Sequence, residues 1–278
     1  MAVIAMTREM ATRGRDVAAG LAERLQLKIV HHEVVERDVA QLAGLSDSEV
    51  HRLLEGEASL LDRWTIDWDR LSHSTTYEVL EHAAKGNVLI RGWGASYILR
   101  QVPHVVGVRI CAPPEFRETL LMERLGLNDR AVARREIERN DAAHSAVMQK
   151  IFGTNWRAPW HYAIVLNTAR VPVADCVEHI VRLVASPAFA ETEPSRMALM
   201  DEVVGYRVRR ALQERFGGSG TAIGFEANVA NGKVTLTGAC SDDHIIVEAV
   251  RLVHGVEGVR AVESRIEHIA FLPHAGLS

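Results

Sequence analysis

The residues best suited to chemistry lie close together near the start of the chain. Thr7-Arg8-Glu9-Met10-Ala11-Thr12-Arg13-Gly14-Arg15-Asp16 follows the apolar run Ala2-Val3-Ile4-Ala5-Met6. That run reads as a short buried strand. From Gly14 onward Val17, Leu21 and Leu25 recur on one helical face. A strand, a tight polar loop and a helix make the setting of a phosphate-binding loop, because a helix N-terminus offers free N–H groups and a partial positive charge. Gly14-Arg15-Asp16 stands where such loops carry Gly-Lys-Ser/Thr. Glu9, Arg15 and Asp16 depart from that pattern, so these residues alone also fit a solvated loop.

A second glycine-rich turn, Arg91-Gly92-Trp93-Gly94-Ala95, follows the apolar strand Val88-Leu89-Ile90. Ligands of open parallel sheets bind at such strand ends. Residues 129–149 form a long charged helical pattern with Arg130, Arg134, Arg135, Arg139 and Asp141. It reads either as a solvated helix with ion pairs or as a lid whose arginines swing onto phosphates. Asp62, Trp64, Asp67, Trp68 and Asp69 read either as a partly buried surface helix, the preferred reading, or as the lining of a nucleoside pocket.

The elements that must position these groups alternate strand with helix. Strands are expected at residues 28–31, 88–90, 105–111 and 162–166 besides the first. Helices are expected at 14–25, 33–42, 74–84, 129–149 and 173–184, with Ser46 and Glu49 marking a further helix start. Alternation of this kind implies a parallel sheet covered by helices on both faces. Residues 186–196, proline-flanked and acidic, read as a linker. Beyond it the rhythm changes to helix 197–216, strands 221–229 and 233–237 joined by Asn231-Gly232, helix 242–253 and strand 259–269. Asn-Gly suits a two-residue hairpin turn in which both residues take positive φ. This second, small α+β unit carries no clustered acid, base or metal set, so an interaction module is its default reading.

Composition narrows the partners. The chain has 278 residues, room for one large domain or two, and its formal charge of -4 gives no support for bulk nucleic-acid binding. No apolar run is long enough to cross a bilayer, and the first run lacks the basic flank of a signal peptide, so a cytoplasmic protein is expected. Cys111, Cys176 and Cys240 are isolated, with no zinc spacing, and Cys111 and Cys176 read as small core residues. His31 and His32 are adjacent and would point to opposite faces of a strand.

Residues 1–185 resemble the cytidylate-kinase-like P-loop proteins, a branch of the nucleoside monophosphate kinase fold. The family opens with a strand, then Ser/Thr-Arg-Glu-Phe/Tyr-Gly-Ser-Gly-Gly-Arg-Glu, then a helix; residues 7–16 follow that line. Gly92-Trp93-Gly94-Ala95-Ser96-Tyr97-Ile98-Leu99, Ala112-Pro113-Pro114-Glu115-Phe116-Arg117, Asn140-Asp141 and Tyr162 through Thr168 resemble further family segments. Two loop glycines of the family are Ala11 and Arg13 here, its arginine between Gly92 and Gly94 is Trp93, and its lid arginine three residues after Asp141 is His144. Residues 197–271 resemble a BON domain, through Val234-Thr235-Leu236-Thr237-Gly238 and Gly255-Val256-Glu257-Gly258-Val259.

The resemblance implies a P-loop fold with a helical lid, ATP as phosphoryl donor and Mg²⁺ as cofactor. Thr12, Arg13, Gly14, Arg15, Asp16 and Val17 would hold the nucleotide, with Arg15 on the β and γ phosphates and Asp16 on the metal. Arg15, Arg134, Arg135 and Arg139 would supply catalytic charge. Arg8, Arg37, Arg91, Gly92, Trp93 and Asp141 would receive a small phosphate acceptor. BON-like modules are linked to lipid or protein partners, and a homo-oligomer is among the assemblies the chain allows. Three readings follow: an ATP-dependent kinase of a small acceptor, a degraded kinase fold that binds nucleotide and signals through the second unit, and a binding protein without nucleotide.

Overall fold

The computed structural model describes residues 1–30, 68–92, 94–217 and 222–269. The expectations for residues 33–42, Ser46, Asp62, Trp64 and Asp67, and for Arg37 and Trp93, lie outside the described residues. The chain divides into two compact units, Met1–Ser195 and Arg196–Ser278.

The first unit is built on β1 (Val3–Arg8), β2 (Lys28–Val30), β3 (Val88–Arg91), β4 (Val105–Cys111) and β5 (Ile164–Asn167). They form one sheet in the order β2-β3-β1-β4-β5 with every pairing parallel. β1 is central because its residues Val3 to Thr7 are all buried, as a strand covered on both faces requires. On one face, Ile4, Met6, Leu89, Val108 and Ile110 pack against Val17, Ala18 and Leu21 of α1 (Gly14–Leu25) and Cys176 and Ile180 of α6 (Val173–Val184). Gly20 lets these helices approach closely, since a Cβ there would stand 2.9 Å from Val177.

Strand alternation sends Ala5 and Thr7 to the other face. There Ser96, in the short turn of helix α3 (Ala95–Ile98), donates to the Ala5 carbonyl and lies 3.3 Å from the Thr7 hydroxyl. α2 (Trp68–Lys85) packs against β3 and against α5 (Arg130–Phe152), and α4 (Pro114–Leu125) packs along α5. α2 begins earlier than the expected residue 74. Asp129 caps α5, its carboxylate accepting from the Ala131 amide at 2.8 Å.

α7 (Glu193–Phe216) also begins earlier than expected, inside the proline-flanked stretch: Pro194 sits in its first turn, where a missing N–H costs nothing. The second unit then follows with β6 (Ala222–Ala230), β7 (Lys233–Cys240), α8 (Asp243–His254) and β8 (Ala261–His268). β6 and β7 are antiparallel, and β7 and β8 are parallel. Asn231 and Gly232 take φ of 54° and 74°, the paired positive values that an Asn-Gly hairpin turn needs. Asp201 fixes that turn by accepting from both its amides, at 2.7 and 2.8 Å. Val204, Val208, Leu212, Phe216, Val234, Leu236, Ala249 and Val253 form the core of this unit. The three cysteines are free thiols; Cys176 and Cys240 are buried, and burial raises the Cys111 and Cys176 thiols above their ordinary range.

Candidate functional site

The loop between β1 and α1 has most of its carbonyls tied down, and its amides are unbonded among the described residues. Thr12 donates its hydroxyl to the Glu9 carbonyl at 2.7 Å. Arg117 Nε donates to the Met10 carbonyl at 2.7 Å, and Thr168 Oγ1 donates to the Thr12 carbonyl at 2.6 Å. The Arg13 carbonyl accepts from the amides of Asp16 and Val17. The amides of residues 10–15, by contrast, donate to no group among the described residues. Ala11 and Arg13 lie in the left-handed region, at φ 56° and 55°. Left-handed residues spaced through a loop turn successive N–H groups toward one point, which makes an anion nest at the head of a helix.

Gly14 opens α1 and is buried beneath Arg8: a Cβ there would meet Arg8 Cβ at 2.9 Å and Cδ at 3.0 Å. Arg13, Arg15 and Asp16 are exposed and form no ion pair among the described residues. Val17 is fully buried in the core, and its amide is bonded to Arg13, so its side chain and N–H both face away from a ligand.

Beneath the loop runs a chain of ion pairs. Glu9, 6% exposed, accepts from Arg109 at 2.6 Å and from the Ala112 amide at 3.3 Å, with Arg117 3.8 Å away. Arg117 forms a fork to both oxygens of Asp141, each at 2.8 Å, and Arg157 reaches the same carboxylate at 2.7 Å. Asp141 is thus engaged by two arginines and joins α5 to the loop. An apolar contact runs beside it: the Ala11 methyl is buried with Leu121 of α4 and Ala133 and Ile137 of α5.

The lid arginines expected on α5 are distributed unequally. Arg134 donates to the buried Glu118 at 2.7 Å, and Arg130 reaches the same carboxylate at 3.2 Å. The Arg134 hydrogen bond is the chief cause holding the Glu118 carboxyl below its ordinary range, against the opposing effect of burial. Arg139 pairs with Glu136 at 2.9 Å, and Arg135 is exposed. Arg91 is buried at the end of β3, and the Gly92 amide, at φ 88°, donates to Met6.

Next to the loop, at the C-terminal end of β1, is a small cleft. Thr7, Gly94 and Tyr97 form one wall, and His144 and Met148 of α5 another. Thr154, Trp156, His161 and Tyr162 complete it. The His144 ring stacks on Trp156 with centroids 4.4 Å apart, and burial pushes its pKa down to about 4, aided by the charges of Arg157 and Arg8 and opposed by Asp141. Trp156 is held by its indole N–H, which donates to Ser145 at 2.9 Å. Phe152 lies over Gly94, where a Cβ would be 2.7 Å from its ring.

Residues 3–170 match the sequence model of the Cytidylate kinase-like family. The chain belongs to that family. The match spans β1 through the turn after β5, and so covers the loop, α5 and the cleft of this cytidylate kinase-like unit. No curated protein matches the chain. Among solved structures, an uncharacterized protein from Eubacterium ventriosum is similar to it at 18% identity and a TM-score of 0.51, covering 66% of this chain and 98% of that one. This likeness shows the fold. Shikimate kinase from Acinetobacter baumannii (14% identity, TM-score 0.38, 68% of this chain and 96% of that one) is more distant, as is a gluconokinase from Sinorhizobium meliloti (12%, 0.41, 67% and 93%). Those two superpose too loosely to carry an argument.

Several participants were not singled out from the sequence. Arg109, Glu118, Trp156 and His161 carry no spacing signal. One cue was available for Arg109, a charge inside the apolar strand Val105–Cys111, which a buried strand tolerates only with a partner.

Proposed function

We propose that the cytidylate kinase-like unit is an ATP-dependent phosphotransferase acting on a small acceptor. One observation carries this reading: six successive amides, at residues 10–15 by the head of α1, donate to no group among the described residues while the carbonyls of Glu9, Met10 and Thr12 are bound. Such a nest suits the terminal phosphates of a nucleotide, with Arg15 in the place of the loop lysine and Arg13 beside it. Phosphoryl transfer needs alignment and positive charge on the equatorial oxygens more than covalent help.

The described residues hold no cluster of three or more metal-ligating side chains, so a cation would not be caged by protein alone. Asp16, exposed in the first turn of α1, is a hard oxygen donor next to the nest. It suits Mg²⁺ held jointly by carboxylate, phosphate oxygens and water, and the ion would neutralise charge on the transferred group. Arg8 and Arg91 lie at the ends of the two central strands, on the acceptor side. The second unit is proposed to be a BON-like module that carries a lipid or protein contact, and the whole protein to act in the cytoplasm.

A second reading has its own support. Arg134 is bound to Glu118, Arg139 to Glu136, and the neutral His144 stands where the family resemblance places a lid arginine. A chain that binds nucleotide with little turnover, and signals through the second unit, would have this lid. An ADP-release assay with a panel of acceptors separates the two. Turnover abolished by Arg15→Ala supports the kinase. Thermal stabilisation by Mg-ATP without turnover supports the nucleotide reader, and no thermal shift at all rejects both.

A further inference from the structure

We infer that Thr168 is a positioning residue for the nucleotide phosphates: its hydroxyl, bonded to the Thr12 carbonyl, aims the N–H of Arg13 at them. The inference rests on the kinase reading and deepens it, since it names a residue outside the phosphate loop on which binding by that loop depends.

Thr168 is buried in the turn after β5, 156 residues from Thr12 along the chain. Its own amide donates to the Cys111 carbonyl at 3.0 Å, which fixes the turn against β4. The hydroxyl has one proton to give. It lies 2.6 Å from the Thr12 carbonyl and 3.4 Å from the Cys111 carbonyl, so the proton goes to Thr12. This hydroxyl is bonded to nothing else among the described residues.

Peptide geometry turns this bond into an aimed donor. A peptide is planar and trans, so its N–H points opposite to its C=O. With the Thr12 carbonyl drawn toward the turn after β5, the Arg13 N–H points the other way, and it donates to no group among the described residues. The Arg13 carbonyl is held as well, because it accepts from the amides of Asp16 and Val17. Arg13 is thus pinned between two fixed peptides at φ 55°. Its own side chain, exposed and without an ion pair among the described residues, does nothing to hold it there. Released from Thr168, the Thr12–Arg13 peptide can turn, and the strain of a left-handed non-glycine residue favours the turning.

The other two clamps do different work. Arg117, which holds the Met10 carbonyl, also forks Asp141, so its removal disturbs the ion-pair chain. Thr12 holds the Glu9 carbonyl from within the loop itself. Thr168 reaches the loop from another element with an uncharged group, so Thr168→Val removes the hydroxyl and changes little in volume.

The test uses the full chain carrying carbonyl-¹³C threonine and ¹⁵N arginine. Only Thr7-Arg8 and Thr12-Arg13 join these residue types in that order, so a carbonyl-correlated amide spectrum shows the Arg8 and Arg13 amides alone. Mg²⁺ with a non-hydrolysable ATP analogue should shift the Arg13 amide in the parent, and move the Arg8 amide, inside β1, much less. In Thr168→Val the Arg13 shift should be at least halved, and the dissociation constant from calorimetric titration should rise about 5-fold or more, the worth of one hydrogen bond. Thr168→Ser keeps the hydroxyl and should return both readings to within about 2-fold of the parent. A lower Tm in Thr168→Val with the Arg13 shift and the dissociation constant unchanged would mark a structural role only and overturn the inference, as would a serine variant no better than valine. Thr168→Ala is read in the same way if the valine variant does not fold. Absence of any binding by the parent chain would instead bring down the kinase reading, and the positioning role with it.

Discussion

Arg13 and Ala11 hold the same backbone conformation for different returns, and replacing each by glycine separates them. Both residues sit at φ near +55°. A residue with a Cβ in that region is strained by roughly 1–2 kcal/mol. Glycine removes the strain but adds freedom to the unfolded chain, a loss of roughly 0.5–1 kcal/mol. Arg13 is exposed and makes no ion pair among the described residues, so nothing else is lost there. Arg13→Gly should therefore stabilise the first unit by about 0.5–1 kcal/mol, which for a unit of this size is a rise in Tm of about 1–4 °C. Ala11 differs because its methyl is buried against Leu121, Ala133 and Ile137. Deleting it forfeits about 0.8 kcal/mol of apolar burial, which cancels the backbone gain. Ala11→Gly should leave Tm within about 1 °C of the parent.

Tryptophan fluorescence makes a suitable assay, because all five tryptophans (64, 68, 93, 156 and 160) fall in the unit Met1–Ser195. The melting transition then reports that unit alone. Equal stabilisation by both variants would refute the claim that the Ala11 methyl does structural work. Destabilisation by Arg13→Gly would show that the Arg13 side chain has a partner in the folded state. Under the kinase reading, Arg13→Gly should also weaken Mg-ATP binding while it stabilises the fold, the usual opposition at a strained functional loop.

Arg117→Met should destabilise the first unit by about 3–5 kcal/mol, since it leaves Asp141 short of its forked partner in a mostly buried position; urea denaturation checks this, and adding Asp141→Leu should recover part of the loss. The stability of the first unit should fall as pH drops from about 6.5 to about 4, because the unfolded imidazole of His144 takes a proton near 6.5 while the folded one resists to about 4. That term is fully favourable above pH 6.5 and amounts to no more than about 3 kcal/mol; His144→Phe should flatten the slope, leaving the share of His161, whose pKa is lowered in the same sense. Glu118→Gln should raise ADP release several-fold if pairing with this carboxylate is what keeps Arg130 and Arg134 from the phosphates; unchanged turnover would remove Arg134 from the catalytic set. Gly94→Ala should lower Tm and disturb the cleft, since the position has φ 66° and no space beside the Phe152 ring.

The sheet was legible because its determinants are local. Apolar runs such as Val3–Met6 and Val88–Ile90 are buried on both faces, and the polar loops between them mark their ends. The loop–helix junction was legible for the same reason: Gly14 opens the helix a few residues after the strand ends. The commitments of the lid charges were not. Arg134 meets Glu118 across sixteen residues, and Arg109 meets Glu9 across a hundred. A charged helix reads identically whether its arginines face a ligand or a carboxylate on the helix beside it. The onset of α7 at Glu193 was hidden by Pro194, which punctuates a loop and suits a helix's first turn equally well.

Alanine and arginine at the two left-handed positions need not mean that the loop has lost its geometry. The curvature survives because the constraint is supplied from outside: Arg117 and Thr168 hold the carbonyls of Met10 and Thr12, and Thr12 holds that of Glu9. With those carbonyls fixed, the peptide planes are set and the N–H groups must point inward whatever side chains follow. Glycine makes such a loop easy to form, whereas an external clamp makes it stay formed. The Ala11 methyl then becomes an anchor to α5, a contact that a glycine at this position would not make.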